Sequence, residues 1–597
     1  MKILALESST SAAKAMLYDT DTSEARVVTR PYGSLVDGIR PDPAAVYNLS
    51  MAAGKEAAAG QKADLIALGA TWHGVGLFTR SMEPAGPLLS WADTSAAGLC
   101  LERRKDPAWC KDFYQATGCT IHASYAFFKL LQLKKEGTDL RKYLIGDQGS
   151  YNLYRLTGHF ATTACMASGT GYYALNSTAE TTHSEKDFDS RYYILNSATE
   201  ETHYEKDCVS RYYALDSTAE TTHSRMTSSR GSYALDGAAE HPHDERAEDP
   251  CRQNASTTRI LSNSFEKTAD SYKQDKSPAG TGGSPQEINP QEIKSQKINP
   301  QKKEPQPAGS YHAGLLRELE LTEDQLPEIA AWDQTFPLSP EGAEALGLQP
   351  GIPVLAANAD GGLNQIGADG MEPGVMTFSM GTSAALRMTV PGPCLSPAME
   401  TWCYRSPLGY LAGAAVSGGC NCIDWLRQKL APDRTYEELE STGPPSMDTP
   451  LFMPYLFGER SPGWDPSRLG SFFRLRGDHD IRDLYRAVQE GLLLQMYLCY
   501  ETLTGTAGKP SAIRLSGGIL RSETWMQMAA DLFRRPIEID AAEQSSLLGS
   551  VKTAALAAGR PLPPNRNRRL LQPDTDKAQL YQEKLELFRK YYEVEHV

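Results

Sequence analysis

Two Ser/Thr-rich bends in the chain have the composition of phosphate-binding loops. Each lies between two apolar, strand-like segments: LALESSTSAAKAMLYD at residues 4–19 and VMTFSMGTSAALRMTV at residues 375–390. Bends of this kind expose consecutive backbone N–H groups and hydroxyls, which can bind phosphate oxygens. One such bend could equally be a plain turn, but two copies of one design indicate a duplicated nucleotide-binding arrangement.

The duplication predicts an actin-like architecture, with a nucleotide in the cleft between two halves. The residues expected to bind the phosphates are Thr10, Ser11, Lys14, Gly381, Thr382 and Ser383. A third element, SGGILRSETW, places Gly517 and Gly518 between a strand and a helix. Glycines there would let the backbone approach a base or ribose just before a helix N-terminus.

Two carboxylates are candidates for phosphoryl-transfer chemistry, which needs a group to accept the proton of the attacking hydroxyl and a metal on the phosphates. In AANADGGLN, Asp360 follows an apolar strand and precedes a predicted Gly361-Gly362 turn. We expect Asp360 to be the base. Glu7, at the first bend, is the second carboxylate for Mg²⁺, through water.

The elements that must position these residues suggest at least two domains, because 597 residues exceed one hydrophobic core. Strand-like and helix-like segments alternate in residues 1–175, which predicts an α/β domain. Residues 311–597 again have globular composition. They include a predicted helix over 315–332 that stops near Pro327.

Charge and composition exclude several classes of protein. The formal net charge of −14 argues against a general nucleic-acid binder. No apolar run reaches membrane-spanning length, and MKILALESS lacks the features of a signal peptide. Eleven scattered cysteines without a CxxC pair fit reduced thiols. We therefore expect a cytoplasmic protein without nucleic-acid or membrane partners; a homodimer is left open.

Residues 176–310 differ from the rest of the chain because they contain a repeat. Two residue types recur every twenty positions: Tyr173, Tyr193, Tyr213, Tyr233 and His183, His203, His223. A fixed period can indicate a solenoid. Each unit, however, offers only a Tyr-Tyr-x-Leu cluster to bury, so we predict a largely disordered, low-complexity insertion.

The order of the motifs resembles the FGGY family of carbohydrate kinases over most of the chain outside 176–310. The two bends resemble the family's phosphate loops, and SGGILRSETWMQMAADLF resembles its adenosine motif. NADGGLNQIGAD is similar to the segment with the catalytic base, which falls on Asp360, and AAVSGGCNCIDWLR to a nucleotide-side segment. GERSPGWDPSRLGSFFRL is similar to the stretch before the family's C-terminal helix.

The resemblance implies an α/β fold of the actin-like ATPase (ribonuclease H-like) class, with two domains around a nucleotide cleft. Residues 1–175 with 311–370 would form the N-terminal, sugar-binding domain, and 371–597 the C-terminal, nucleotide-binding domain. ATP would bind with Mg²⁺ near Glu7 and Asp360. The implied ATP-binding residues are Thr10, Ser11, Lys14, Gly381, Thr382, Ser383, Ser417, Gly418, Gly517, Gly518 and Ser522.

The resemblance also implies a substrate side. TWHGVGLF resembles the MHG or MHS segment of xylulokinases and gluconokinases, and LLSWADTSA carries the family's sugar-facing W-x-D motif. The pattern H-x-x-Y-x-x-x-K-L-L in HASYAFFKLL looks most like gluconokinases. The implied substrate-binding residues are His73, Trp91, Asp93, His122, Tyr125, Lys129 and Asn358. Lys129 could instead be a helix-surface lysine, His122 a structural histidine and Trp91 plain core.

The sequence departs from the family pattern at four positions. In the first loop Glu7 replaces an aspartate and keeps its charge, and Ser9 replaces a glycine. Ser95 replaces an arginine after W-A-D, and Arg474 stands where a glycine is usual. Gluconate is the first substrate expected, with xylulose or another ketose or polyol second. The altered first loop supports one rival, a catalytically weak sugar and nucleotide sensor. The repeats support another, an interaction protein with a kinase-like core.

Overall fold

The fold is described from a computed structural model of the chain. The described residues are 1–33, 36–175, 309–372, 374–440, 443, 445–539, 544–565 and 567–594. The chain divides into one unit of Met1–Glu200 with Glu304–Val597 and a second of Glu201–Lys303. The second unit, and with it the prediction made for the repeats, lies outside the described residues.

The described strands fall mainly into two sheets. In chain order they are β1 (Lys2–Ser8), β2 (Ala12–Asp19), β3 (Ala25–Pro31), β4 (Leu65–Ala70), β5 (Gly76–Phe78), β6 (Leu144–Gly146), β7 (Ala161–Thr163), β8 (Glu328–Ala330), β9 (Thr335–Pro337), β10 (Pro353–Ala359), β11 (Val375–Met380), β12 (Ala384–Val390), β13 (Trp402–Ser406), β14 (Gly409–Val416), β15 (Leu451–Met453), β16 (Ser471–Phe473), β17 (Ala512–Gly517), β18 (Ile537–Ile539) and β19 (Arg569–Leu571).

The described α-helices cover the faces of these sheets. In chain order they are α1 (Pro43–Ala58), α2 (Ala97–Arg103), α3 (Pro107–Thr117), α4 (Ala126–Lys135), α5 (Gln148–Thr157), α6 (Ala164–Ser168), α7 (Ala313–Leu319), α8 (Pro340–Leu346), α9 (Asp360–Gly367), α10 (Cys420–Leu430), α11 (Tyr436–Leu439), α12 (Ile481–Ala507), α13 (Glu523–Phe533), α14 (Ser545–Ala557) and α15 (Thr575–Val594). None of the described helices is long and apolar enough to cross a membrane.

The first sheet has the order β3-β2-β1-β4-β10-β9, with β1, β4 and β10 parallel. Successive side chains of a strand point to opposite faces. Leu4 and Leu6 of β1 therefore pack in the cluster that contains α1, whereas Ile3 and Ala5 pack in the cluster that contains α14. Because both faces are covered, the strand reads as an almost continuous apolar run.

The second sheet has the order β13-β14-β12-β11-β17-β18-β19. The hairpin β11–β12 pairs antiparallel, and β11 pairs parallel with β17. The long helix α12 packs against this sheet in one hydrophobic cluster. The Asp480 carboxylate begins α12 by accepting the N–H groups of Arg482 and Asp483, which satisfies backbone donors that have no partner within the helix. Both hairpins predicted from the Ser/Thr-rich bends are present as β1–β2 and β11–β12.

The segment that contains the repeats leaves and re-enters the fold at neighbouring positions. Tyr173 pairs with Tyr311 in an isolated β-bridge. The N–H of Ala174 donates to the Ser310 carbonyl at 2.9 Å. An insertion between such close ends is compatible with the two sheets, since loop closure costs grow slowly with length.

Two predicted elements are wrong. The predicted helix over 315–332 ends at Leu319, because Glu320 takes a left-handed φ of 57° and β8 follows. The predicted Gly361-Gly362 turn is absent, because α9 begins directly at Asp360. Gly361 is needed for close packing: a Cβ there would lie 2.5 Å from the ring of Trp72.

Candidate active site

Two carboxylates lie at one edge of the first sheet. Glu7 on β1 and Asn358 on β10 both pair with Gly69 of β4, so they stand at the same level across three parallel strands. Asp360 follows two residues after Asn358, as the first residue of α9. Carboxyl ends of parallel strands are where open α/β sheets bind ligands.

Burial and nearby charges bring the pKa of Asp360 close to neutral pH. Burial of the Asp360 carboxyl, followed by the like charge of Glu7, raises its pKa to about 6. Arg387 and Lys14 oppose this rise, as does a hydrogen bond from the Gly361 N–H at 2.7 Å. A carboxylate with such a pKa is suited to accept a proton at neutral pH.

Glu7 is buried and has one free oxygen. The Lys14 ammonium donates to Oε1 at 3.3 Å, whereas the buried Oε2 has no partner among the described residues. A buried carboxylate oxygen without a partner is costly. It therefore needs a further donor or a cation.

The first bend is closed by local hydrogen bonds. The Ser9 N–H donates to the Ala12 carbonyl at 3.1 Å, and Ser8 points inward, 2.9 Å from the hydroxyl of Ser50. Ser11 is exposed. The Trp91 indole N–H donates to Oγ1 of Thr10 at 3.1 Å. The structure thus brings a predicted phosphate residue and a predicted substrate residue together.

One edge of the second sheet collects the predicted nucleotide residues. Met380 pairs with Gly517, and Ala384 pairs with Val416, so the ends of four neighbouring strands stand side by side. Gly517 has a left-handed φ of 95°, and a Cβ there would lie 2.4 Å from the Met380 carbonyl oxygen. This edge holds the predicted residues Gly381, Thr382, Ser383, Ser417, Gly418, Gly517 and Gly518.

The Gly381–Ser383 turn packs on the residues that begin α10. The Cys420 N–H donates to the Gly381 carbonyl at 2.7 Å. A Cβ at Gly419 would lie 2.7 Å from the same oxygen, whereas a Cβ at Gly381 would meet nothing within 4 Å. The outer side of Gly381 is therefore open to a ligand.

An aromatic cluster joins the two sheets. The His73 ring lies 5.0 Å from the ring of Tyr125 and 5.6 Å from that of Tyr404, which comes from the second sheet. The hydroxyls of Tyr125 and Tyr404 are 2.8 Å apart. The Trp464 ring lies 5.5 Å from the ring of His122 and 6.4 Å from that of Tyr125. Such faces and edges suit a polyhydroxyl ligand.

Both histidines of this cluster are held neutral. Burial, together with the nearby positive charge of Arg460, keeps the pKa of His73 and of His122 well below the ordinary value. Nδ1 of His73 lies 2.6 Å from the Gly169 carbonyl, and Nδ1 of His122 accepts the Ser124 N–H at 3.1 Å. His73 also has a left-handed φ of 70°. A neutral imidazole has one nitrogen that donates and one that accepts, so it can form hydrogen bonds of either direction with hydroxyls.

Asp93 and Asn358 are buried with protein partners. The Arg40 Nε donates to Asp93 at 2.8 Å, and Ser95 donates to it with both its N–H and its hydroxyl. An arginine therefore reaches Asp93 from elsewhere in the chain, although Ser95 stands at the position of the family's arginine. Thr163 donates its hydroxyl to Oδ1 of Asn358 at 3.0 Å.

Lys129 has a role different from the predicted one of contacting substrate. Its fully buried ammonium donates to four backbone carbonyls, those of His73 (3.0 Å), Leu89 (3.4 Å), Ser90 (2.5 Å) and Ser124 (2.7 Å). Burial lowers its pKa to about 7. We correct its assignment to a positioning residue, which holds together the segments that carry the other substrate-side residues.

Ser522 has protein partners as well. Its hydroxyl accepts the Trp525 N–H at 3.0 Å, which caps α13, and donates to Glu440. The hydroxyl can accept one more hydrogen bond, and its contact with ATP stays a prediction.

Sequence reasoning missed two arginines, of which Arg460 is buried and Arg387 is partly buried. Arg387, on β12, and Arg460 lie within quoted motifs, yet neither was singled out. Arg387 donates to the hydroxyl of Ser379 at 2.8 Å, and its charge acts directly on Asp360. An arginine inside the apolar strand AALRMTV was the available signal, because arginine is rarely buried without a partner.

Residues 376–558 match the model of the FGGY family of carbohydrate kinases, C-terminal domain. This part of the chain is similar to the C-terminal domain of that family. Among curated proteins, the chain is 30% identical to gluconokinase of Bacillus subtilis (strain 168) over 261 residues, or 41% of this chain and 51% of that protein. It is 27% identical to xylulose kinase of Escherichia coli (strain K12) over 297 residues, or 47% of this chain and 60% of that protein. The chain therefore spans about half the length of the curated relatives it matches.

Solved structures of FGGY-type kinases share the fold. Gluconate kinase from Lactobacillus acidophilus matches with a TM-score of 0.71 at 21% identity, over 99% of this chain and 98% of that one. Glycerol kinase of Plasmodium falciparum with ADP matches with a TM-score of 0.67 at 14% identity, over 100% of this chain and 98% of that one. The family resemblance and the actin-like α/β fold class predicted from the sequence are confirmed.

Proposed function

We propose that the protein is an ATP-dependent kinase that phosphorylates a hydroxyl of a small sugar or sugar acid, with gluconate as the first candidate. The observation that carries this proposal is the position and environment of Asp360. It stands at the strand ends of the first sheet, has a pKa raised to about 6, and is approached by Arg387 from the second sheet.

Asp360 would accept the proton of the substrate hydroxyl as that hydroxyl attacks the terminal phosphate of ATP. General base catalysis of this kind contributes typically about 10²- to 10⁴-fold in rate. Lys14 and Arg387 would offset the negative charge that is spread over the transferred group. Their charges already act on Asp360, so both are close to the proposed reaction centre.

The two bends would bind the phosphates. Ser11 is exposed on the first bend, and the outer side of Gly381 is open on the second. We propose that the first sheet with its surrounding helices binds the sugar, and that the second sheet binds the nucleotide along the Gly381, Ser417 and Gly517 edge. The domain limits 1–175 with 311–370, and 371–597, remain part of this proposal.

The carboxylates fit Mg²⁺. Glu7 offers a buried oxygen without a partner, and Asp360 lies close enough for Glu7 to raise its pKa. Hard oxygen donors beside phosphates are the usual environment of this ion. Glu7 and Asp360 would hold Mg²⁺, through water for Glu7, and the ion would neutralise phosphate charge.

The sugar would bind among the neutral histidines and the aromatic rings. His73, His122 and Trp91 offer hydrogen-bonding groups and a flat face. Gluconate is preferred over xylulose because the H-x-x-Y pattern of His122 and Tyr125 looks most like gluconokinases. Lys129 no longer supports this choice, since its ammonium is used by carbonyls. A cytoplasmic location and a homodimer stay predictions.

The proposed function is tested by ADP release with Mg-ATP over gluconate, xylulose, ribulose, glycerol and erythritol. One strong responder is expected, and gluconate would support the substrate assignment. Binding of ATP with no ADP released for any acceptor would favour the sensor, whose support is Ser9 in place of a loop glycine.

A further inference from the structure

Arg460 is a buried arginine without an anionic partner. It is 7% exposed, and its guanidinium forms no hydrogen bond or ion pair with the described residues. Among the described residues, the guanidinium has a cation–π contact with Trp464, whose ring centre lies 5.7 Å from the guanidinium carbon. A buried charge without a partner strongly destabilises a fold.

Other buried arginines of the protein are paired. Arg468 bonds to Glu459 at 3.2 Å, and Arg486 bonds to Glu490 at 3.1 Å. Arg514 bonds to Glu538 at 2.8 Å. The fold thus supplies a carboxylate to these buried guanidiniums but not to Arg460. The missing anion can come from a ligand.

Arg460 lies on the substrate side of the cleft. Its charge lowers the pKa of both His73 and His122, and the Trp464 ring below it also contacts the His122 ring. Arg460 therefore faces the residues that would bind the sugar.

A second cation adds to the local excess of positive charge. Arg387 is subject to the charge of Arg460 as well as to that of Asp360, and its Nε has no partner among the described residues. Two guanidiniums, those of Arg387 and Arg460, thus lie within range of each other's charge. A second negative group would balance them.

We infer that Arg460 binds the carboxylate of the substrate, so that the acceptor is an aldonic acid rather than a neutral ketose. This inference rests on the proposed function and deepens it. A guanidinium can donate two parallel hydrogen bonds to a carboxylate, and such charged bonds are the stronger kind. The buried position strengthens them further because little water competes.

The first test compares two ligands on the wild-type protein without nucleotide. Gluconate and sorbitol have the same number of carbons, but only gluconate carries a carboxylate. Calorimetry should give a dissociation constant for gluconate that is lower by about 10- to 100-fold, the range of one charged hydrogen-bonded contact. Equal binding of both, or no binding of gluconate, would overturn the inference.

The second test uses Arg460→Gln and Arg460→Lys, with Arg482→Gln as an exposed control on α12. Arg460→Gln should lose the preference for gluconate over sorbitol, Arg460→Lys should keep part of it, and the control should keep all of it. Thermal unfolding of each variant shows whether it is folded. An unchanged gluconate affinity in both Arg460 variants would overturn the inference.

Turnover separates this inference from the proposed function. In steady state, Arg460→Gln should raise KM for gluconate while KM for ATP changes little. A loss confined to kcat would assign Arg460 to the transferred phosphoryl group and overturn the inference. A wild-type protein that phosphorylates only a neutral ketose would overturn it as well, but would leave the sugar-kinase function standing. Gluconate binding that depends on Arg460 without any turnover would support the inference and contradict the proposed function.

Discussion

Glu7 and Asp360 lie at the carboxyl ends of β1 and β10, which flank the same strand, β4, and the charge of Glu7 helps to raise the pKa of Asp360 to about 6. Lys14 bonds to Glu7 and opposes this effect. The proton affinity of the proposed base therefore depends on its burial and on these two charges of the first sheet, each of which can be removed separately.

The acid limb of the pH–rate profile should report Asp360. Because a base must be deprotonated to act, kcat/KM should fall as pH falls through about 6. Glu7→Gln removes a like charge and should move this limb to lower pH. Lys14→Met removes an opposite charge and should move it to higher pH. Profiles at saturating Mg²⁺ test this, and shifts of the same sign in both variants would contradict it.

The deprotonated Asp360 carboxylate should lower the free energy of unfolding at neutral pH. Its folded pKa of about 6 lies above the ordinary 3.8, so the penalty is absent below pH 3.8 and appears as pH rises through 6. Asp360→Asn keeps an oxygen for the Gly361 N–H and should gain roughly 1–3 kcal/mol of unfolding free energy at pH 8.

Denaturant unfolding at pH 4.5 and pH 8 checks this gain. It should shrink at the lower pH, and the exposed control Asp333→Asn should show no such pH dependence. An Asp360→Asn protein that is less stable than wild type at pH 8 would refute a raised pKa of the Asp360 carboxyl.

The predicted strands and loops follow from local pattern, whereas the roles of side chains depend on long-range packing. The apolar runs of β1 and β11 and their polar bends are visible in the sequence. Lys129 was predicted to contact the substrate because the pattern H-x-x-Y-x-x-x-K-L-L resembles that of gluconokinases. Its four carbonyl partners come from segments up to 56 residues away, which spacing cannot show.

Other differences have the same origin. The Gly361-Gly362 pair suggested a turn, but Gly361 is small because the Trp72 ring packs against the start of α9. Arg474 stands where the family has glycine and takes a left-handed φ of 59°, a conformation that favours glycine. Arg460 could not be recognised from sequence because its lack of a partner is a property of the fold.

Lys129→Met should loosen the substrate side. Four carbonyls would lose their hydrogen-bond donor, so we expect the free energy of unfolding to fall by roughly 3 kcal/mol. We also expect KM for the sugar to rise relative to wild type, and to rise more than KM for ATP. Lys135→Met, an exposed position on the same helix, is the matched control. Chemical denaturation and steady-state kinetics measure both effects. An unchanged sugar KM with reduced stability would leave Lys129 a purely structural residue.

The crossing of α9 and α14 should tolerate no side chain at Gly549. A Cβ there would lie 1.9 Å from the Leu363 carbonyl oxygen, and α9 carries Asp360. Gly549→Ala should cost at least about 2 kcal/mol and reduce kcat. Gly505→Ala on α12, where a Cβ meets nothing within 4 Å, should gain up to about 1 kcal/mol. Equal effects of the two substitutions would contradict the packing argument.

The most direct test of the central claim is the rate of ADP release by wild type and Asp360→Asn with Mg-ATP and the best acceptor of the panel. If Asp360 is the base, the variant should lose about 10²- to 10⁴-fold in kcat while its affinity for ATP stays close to that of wild type. A variant that turns over at the wild-type rate would contradict the account.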